Sequence, residues 1–353
     1  MTPRQVASRG RMDFPGTELP ILQAPMAGVQ LGALAAAVSE AGGLGALPCA
    51  LLTPQAMAKE LELIRARTSK PFNVNFFCHA PPRADAARDA QWRRALEPYY
   101  RELGIDPASI ASGPGRAPFS AEAADALEPF RPAVVSFHFG LPAPDLLARV
   151  KSWGSKVIAS ATTVEEALWL EARGVDAVIA QGLEAGGHRG IFLSGDLTTQ
   201  LGTFALVPQV VRAVKVPVIA AGGIADASGV AAALALGASA VQVGTAFLLC
   251  DEATTSPLHR AALKGDAARH TALTNVFTGR PARGIVNRIV REVGPLSPHA
   301  PEFPLATSAI APLRAKAEAR GSGDFSPLWS GENSTGCREI PAADLLRALA
   351  ARL

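Results

Sequence analysis

Eight short apolar runs, each followed by a stretch with helix-forming ends, constrain this chain more than any other feature. They are 20–26 (PILQAPM), 43–48 (GLGALP), 72–77 (FNVNFF), 133–139 (AVVSFHF), 156–161 (KVIASA), 177–182 (AVIAQG), 217–223 (PVIAAGG) and 240–247 (AVQVGTAF). A strand with one wet face alternates apolar and polar residues, whereas these runs are nearly continuous. Strands covered on both faces read this way, as in a parallel sheet lying under helices. The intervening stretches carry caps. Thr163-Val164-Glu165-Glu166 reads as a capping box whose helix runs to Gly174, and Asp226 caps 227–236 before Gly237. A helix over 145–153 ends at Gly154, and Thr53 opens another. Eight strand-then-helix units predict a closed (β/α)8 TIM barrel in preference to an open doubly wound sheet.

A barrel takes about 250 residues, and the chain has 353. The expected division is a barrel over 1–247, a cap over 248–330 and a tail with a closing helix over 331–353. The barrel is interrupted by an excursion at 81–132, which holds a charged helix (83–103) and a loop at 112–118 (SGPGRAP). The cap shows no further strand–helix rhythm and is expected to be mostly helical. With 48% hydrophobic and 18% charged residues, the chain is not a disordered one. Its net charge of +3, from 34 Lys+Arg against 31 Asp+Glu, is too balanced to suggest nucleic acid. No run approaches the ~18 apolar residues of a membrane span. Residues 1–16 lack the apolar core of a secretory signal, so a cytoplasmic setting is expected. Cys49, Cys78, Cys250 and Cys337 are scattered without metal-ligand spacing.

In such a barrel, function gathers where the strands end. Polar residues stand there at the ends of greasy runs: Gln23, Asn73, Asn75, Ser136, His138, Ser160 and Gln181. Buried without partners they would be costly, and a pocket resolves the cost. Ala221-Gly222-Gly223 and Gln242-Val243-Gly244-Thr245 end units seven and eight, where backbone amides of small residues can approach a phosphate. The glycine-rich loop Gln181–Gly190 (QGLEAGGHRG) can press its backbone on a flat ligand and aim His188 at it. His138 alone would read as a satisfied core histidine. With His188 two units away, both imidazoles can meet over one ligand. His79, His259, His270 and His299 fall in loops or the extra segment and are weak candidates. The chain lacks H-E-x-x-H, G-x-S-x-G, G-x-G-x-x-G and the P-loop pattern. A pocket of amides, glycines and histidines, with neither a metal set nor a nucleophile, suits a bound cofactor that carries the chemistry.

The ordered set QAPMAGV (23–29), NVNFF (73–77), SFHFG (136–140), SATTVEEA (160–167), QGLEAGGHRG (181–190), PVIAAGGIAD (217–226) and GASAVQVGTAFL (237–248) resembles the nitronate monooxygenase family, formerly called 2-nitropropane dioxygenases. FTGRPARG (277–284) and GSGDFSPLW (321–329) extend the resemblance to nearly the whole chain, and SFHFG with AGGHRG is similar to the bacterial class I enzymes. The resemblance implies non-covalent FMN held by Met26, Asn75, Gln181, Gly186, Gly223, Gln242, Val243, Gly244 and Thr245. It implies His138 as the catalytic histidine and His188 as a second imidazole near the substrate. The implied reaction is oxidation of alkyl nitronates, such as propionate 3-nitronate, by O2 to a carbonyl compound and nitrite or nitrate. For a neutral nitroalkane, His138 would be the base. The same barrel and AGGH loop also occur in FMN-dependent NAD(P)H:quinone and enoyl reductases, the alternative reading. One departure stands out. Family members carry cap tyrosines near 303–307, but here the only tyrosines are Tyr99 and Tyr100. Thr307 or Ser308 are the candidates for the missing hydroxyl, and Arg280, Arg283 or Lys316 for a compensating charge.

Overall fold

The computed structural model describes residues 16–110 and 116–353. The segment before Gly16 and positions 112–115 of the predicted loop lie outside the described residues. Each apolar run supplies a strand of one sheet: β1 (Ile21–Gln23), β2 (Gly45–Pro48), β3 (Phe72–Phe77), β4 (Val134–His138), β5 (Lys156–Ala161), β6 (Ala177–Gln181), β8 (Val218–Ala221) and β9 (Ala240–Val243). The short β7 (Gly187–His188) lies outside this sheet. All pairings in the sheet are parallel, in the order β1-β9-β8-β6-β5-β4-β3-β2. The ring closes between β1 and the residue before β2. Gln23 N–H donates to Leu44 O (2.9 Å) and Leu44 N–H to Ile21 O (3.0 Å).

Eight helices lie among the barrel strands, counting those of the excursion. They are α1 (Gly32–Glu40), α2 (Pro54–Arg67), α3 (Ala86–Leu103), α4 (Ala121–Leu127), α5 (Pro144–Ser152), α6 (Val164–Ala172), α7 (Thr203–Ala213) and α8 (Ala227–Ala235). Side-chain caps set several of their starts. Thr53, Thr163 and Asp226 accept the amides of Ala56, Glu166 and Gly229. Strand alternation then makes two cores. Val135, Phe137, Val157 and Val178 face the helices. Leu22, Leu44, Val134, Ile158, Ile179 and Ile219 fill the barrel interior. Along the interior lanes Val134 gives way to Ser136 and His138, Ile158 to Ser160, and Ile179 to Gln181. The barrel is therefore apolar at one end and polar at the other.

Three local readings need correction. The run 240–247 is a strand only to Val243, because Gly244 leaves the extended region and Thr245–Leu249 forms a 3₁₀ turn. The run 20–26 stops pairing at Gln23. The capping box is half reciprocal. Glu166 does not return to Thr163; its buried carboxylate accepts the amide and hydroxyl of Thr162, both at 2.7 Å, and the amides of Phe192 and Leu193 at 2.5 and 3.2 Å.

After β9 come α9 (Pro257–Lys264), β10 (Thr271–Thr274), β11 (Ala282–Ile285), α10 (Arg288–Glu292) and α11 (Ala306–Ala319). The two strands, which the sequence rhythm does not reveal, pair antiparallel with each other. β11 also pairs with β7, setting Ala282 beside His188 and Arg283 beside Gly187. The histidine loop is thus stitched to this segment by main chain. Excursion helix α3 docks on α11, with Tyr100 Oη donating to Ala309 O (2.6 Å) and Trp92 Nε1 to Ala306 O (3.3 Å). α12 (Ala342–Leu349) returns against α1 and α8, joining the two ends of the barrel. Among the described residues, no helix is long and apolar enough to cross a membrane.

Candidate active site

The polar end of the barrel opens into one cavity, roofed by the cap and by residues of the tail. His138 enters it from the end of β4, and the next residue, Phe139, has a φ of +70°. Such a conformation is rare for an aromatic residue and costs on the order of 1–3 kcal/mol. Around His138 the contacts are specific. Ser160 Oγ lies 3.0 Å from Nδ1, and Nε2 lies 3.2 Å from the carbonyl oxygen of His188. A carbonyl only accepts, so Nε2 carries the proton and Nδ1 takes the Ser160 hydroxyl hydrogen. Burial, reinforced by Arg280 and Arg189, pushes His138 down to about 3 against a weaker opposing pull from the His188 carbonyl, so the ring is neutral near pH 7.

His188 stands across the same space. Its Nε2 lies 2.9 Å from Thr278 Oγ1, and its Nδ1 has no protein partner among the described residues. Desolvation holds it well below the ordinary histidine range, helped by Arg116, His138, Arg280 and His79. Phe77 and Phe139 pack against both imidazoles, at ring separations of 4.4–6.1 Å.

The loop that delivers His188 is held by its own first residue. Gln181 Nε2 donates to His188 O (3.0 Å), and its Oε1 accepts Gly190 N–H (2.8 Å). The fully buried Arg189 donates to Gly182 O, Gln181 O and Gln200 Oε1 at 2.6, 2.8 and 3.0 Å. Gly190 is required for room, since a Cβ there would sit 2.9 Å from His138 Cε1.

At the other end of the cavity the wall is main chain. Gly223, at the end of unit seven, has a φ of +71°. The amides of Gly223, Gly244 and Thr245 donate to no protein acceptor among the described residues. The buried Gln242 Oε1 also lacks a partner. Unspent donors beside small residues fit a phosphorylated cofactor. Met26, Asn75, Gln181 and Gly186 line the same cavity, so the residues present fit FMN. Val243 is not among the residues that line the cavity. Alternation turns its side chain outward into the core beneath the helices, where it is 1% exposed.

Several lining residues escape sequence reasoning because they come from remote segments. Arg116 arrives from the excursion, His259 and Trp329 from the cap, and Gly331 and Asn333 from the tail. His259 Nε2 donates to Trp329 O (3.0 Å), and burial pushes it down to about 4. Gly331 N–H donates to Thr245 Oγ1 (2.9 Å), and Asn333 Nδ2 to Gly223 O (3.0 Å), so the tail ties down units seven and eight. The Thr307 hydroxyl instead donates to Phe277 O (3.2 Å), and that of Ser308 to Leu305 O (3.1 Å). None of the three compensating cations lines the cavity. Arg280 stacks on the Phe139 ring at 4.0 Å, Arg283 pairs with Glu332 at 2.9 Å, and Lys316 sits at a separate surface hollow. Among the described residues, the only carboxylate on the cavity wall is Glu184. Its carboxylate accepts the amide and hydroxyl of Thr203, each at 2.8 Å.

Known proteins resemble this chain over nearly its whole length. The family model described as nitronate monooxygenase matches residues 10–352. A nitronate monooxygenase of Pseudomonas aeruginosa is 46% identical over 350 residues, covering 96% of this chain and 97% of the relative. One of Paraburkholderia phytofirmans is 44% identical over 349 residues, covering 98% and 95%. Among solved structures, a nitroalkane oxidase from Streptomyces ansochromogenes superposes with a TM-score of 0.87 at 40% identity, covering 96% of each chain. With a barrel closed in the expected order, two imidazoles at its mouth and this extent of likeness, the chain belongs to the nitronate monooxygenase family.

Proposed function

We propose that this chain binds FMN non-covalently and oxidises alkyl nitronates with O2, giving a carbonyl compound and nitrite or nitrate. One observation carries the reading: two neutral imidazoles share a single cavity with a cradle of unspent backbone amides. In this reading Gly223, Gly244 and Thr245 hold the phosphate, and Met26, Asn75, Gln181, Gly186 and Gln242 border the ring. The barrel, 1–247, carries the cofactor, 248–330 covers the substrate, and the tail from 331 closes the phosphate end. The chemistry that FMN supplies when bound is electron exchange between the nitronate and O2.

The chain's own residues select and orient the anion. His138 Nε2–H is a donor now spent on a long bond to the His188 carbonyl, and an anionic nitronate oxygen is a stronger acceptor for it. His188 offers Nδ1, the ring nitrogen left without a protein partner. Phe77, Phe139 and Phe303 keep water from the reacting atoms. A neutral nitroalkane would need a base. His138 Nδ1 already takes the Ser160 hydroxyl, so His188 Nδ1 is the nitrogen free to accept a proton when Nε2–H is directed at Thr278. The four unpaired cysteines fit a reducing cytoplasm, and the partners of this reading are a small nitronate and O2.

The test is the visible spectrum of the purified protein, followed by oxygen consumption with a simple nitronate. A yellow protein bleached anaerobically by nitronate, with NADH inert, is the expected result. Rapid bleaching by NADH with no response to nitronates would move the chain to the reductases.

A further inference from the structure

The charges near the cavity are unevenly employed. Arg280 is spent on the Phe139 ring face and the carbonyl oxygen of Ile191, and Arg283 on the Glu332 carboxylate. Arg116 also lines the cavity, and its situation differs. It descends from the excursion, and its guanidinium lies 5.6 Å from the centre of the Phe303 ring. That ring is itself 5.3 Å from His188. The only hydrogen bond of the Arg116 side chain among the described residues is a long one, Nη1 to Thr307 Oγ1 at 3.5 Å. The backbone carbonyl of Arg116 accepts from His79 Nε2 at 3.0 Å, which fixes the main chain beneath it. Among the described residues no acidic group pairs with the guanidinium, and the charge that bears on it most, Arg314, is of the same sign. A desolvated guanidinium without a counter-ion is costly unless something anionic completes it.

Building on the nitronate reading, we propose that Arg116 is a specificity-determining residue that binds a carboxylate carried by the substrate's far end, and so favours acidic nitronates over neutral ones. The geometry suits a short chain. One end of the substrate lies at the imidazoles, and the other reaches past Phe303 to the excursion side. The planar fork of arginine offers two parallel N–H donors to a carboxylate, which an ammonium does not.

The experiment compares Arg116→Met and Arg116→Lys with the parent holoenzyme, using propionate 3-nitronate as the acidic substrate and propyl-1-nitronate as the neutral one. The acidic-to-neutral ratio of kcat/KM is expected to fall about 10- to 100-fold in Arg116→Met, the span of a lost charge-assisted hydrogen bond. Most of the fall should lie in KM, with partial recovery in Arg116→Lys. Competitive inhibition by butyrate, read against the neutral substrate, should weaken by a similar factor. Flavin content and melting temperature check that Arg116→Met is folded. A ratio within about twofold of the parent's, with butyrate inhibition unchanged, overturns the role of Arg116 while leaving nitronate oxidation intact. Absence of turnover with both nitronates in the parent overturns the underlying function instead.

Discussion

The two ends of the one cavity are built from different materials. At units seven and eight the wall is backbone, with unspent amides, glycines and a tail drawn across them. At the cap side it is side chains from distant stretches of sequence, His138, His188, Arg116 and Trp329, backed by Thr278 and Phe303. A backbone cradle tolerates many neighbours but not an added Cβ, because its donors are fixed by conformation. A side-chain wall can be altered one residue at a time while the barrel stands. Substitutions at the imidazole end are therefore expected to change chemistry and spare flavin, and those at the amide end to lose flavin first.

The largest effect is expected at the imidazoles. His188→Asn and His138→Asn should each lower nitronate kcat/KM by about 10²- to 10⁴-fold, the range for removing a positioned donor or base. Oxygen consumption measures it, and the visible flavin band relative to protein absorbance should stay at the parent level. Flavin lost in step with activity would mean that the two ends are not separable.

A smaller effect is expected at the amide end. A Cβ on Gly186 would sit 2.5 Å from the amide nitrogen of Gly331 and 2.6 Å from the carbonyl carbon of Ser330. Gly186→Val must push the tail off units seven and eight, an overpacking worth about 1–3 kcal/mol. FMN retention after gel filtration should fall about tenfold, and excess free FMN should restore the yellow colour. Full retention would show that the tail does not help hold the cofactor.

The contrast also explains what could be read from the chain. The barrel was legible because its signals are local: continuous apolar runs, side-chain caps at several helix starts, glycines at the unit ends. The cradle was legible for the same reason, since Gly223, Gln242, Gly244 and Thr245 lie within a few residues of their strands. His138 and His188 stood out only once the barrel made them neighbours. Arg116, His259, Trp329, Gly331 and Asn333 carry no local signal of their place. Their positions depend on α3 docking against α11, on β11 pairing with β7, and on the tail crossing units seven and eight. Val243 shows what a motif does not resolve. A motif names four consecutive residues, but a strand turns alternate side chains away from the cavity.

The last and smallest effect tests whether the imidazole end is strained by its own burial. His138 is pushed down to about 3 and His259 to about 4, and His188 lies well below the ordinary value, all chiefly by desolvation. In the unfolded chain each titrates near 6.5. Between those values the unfolded state binds more protons than the folded one, so stability rises with pH. The contribution is complete above about pH 6.5 and is lost as pH falls toward the folded values. Each histidine adds a slope of at most ~1.4 kcal/mol per pH unit within that window. Urea unfolding at pH 7, 6 and 5 should therefore show a progressive loss of stability, in a range where most carboxylates remain ionised. His138→Asn should flatten the dependence by about one histidine's share, whereas Gly186→Val should lower stability at every pH without changing the slope. An equal slope in parent and His138→Asn would mean that the His138 ring is wet enough to ionise in the folded protein. Its Nε2–H would then no longer be a fixed neutral donor.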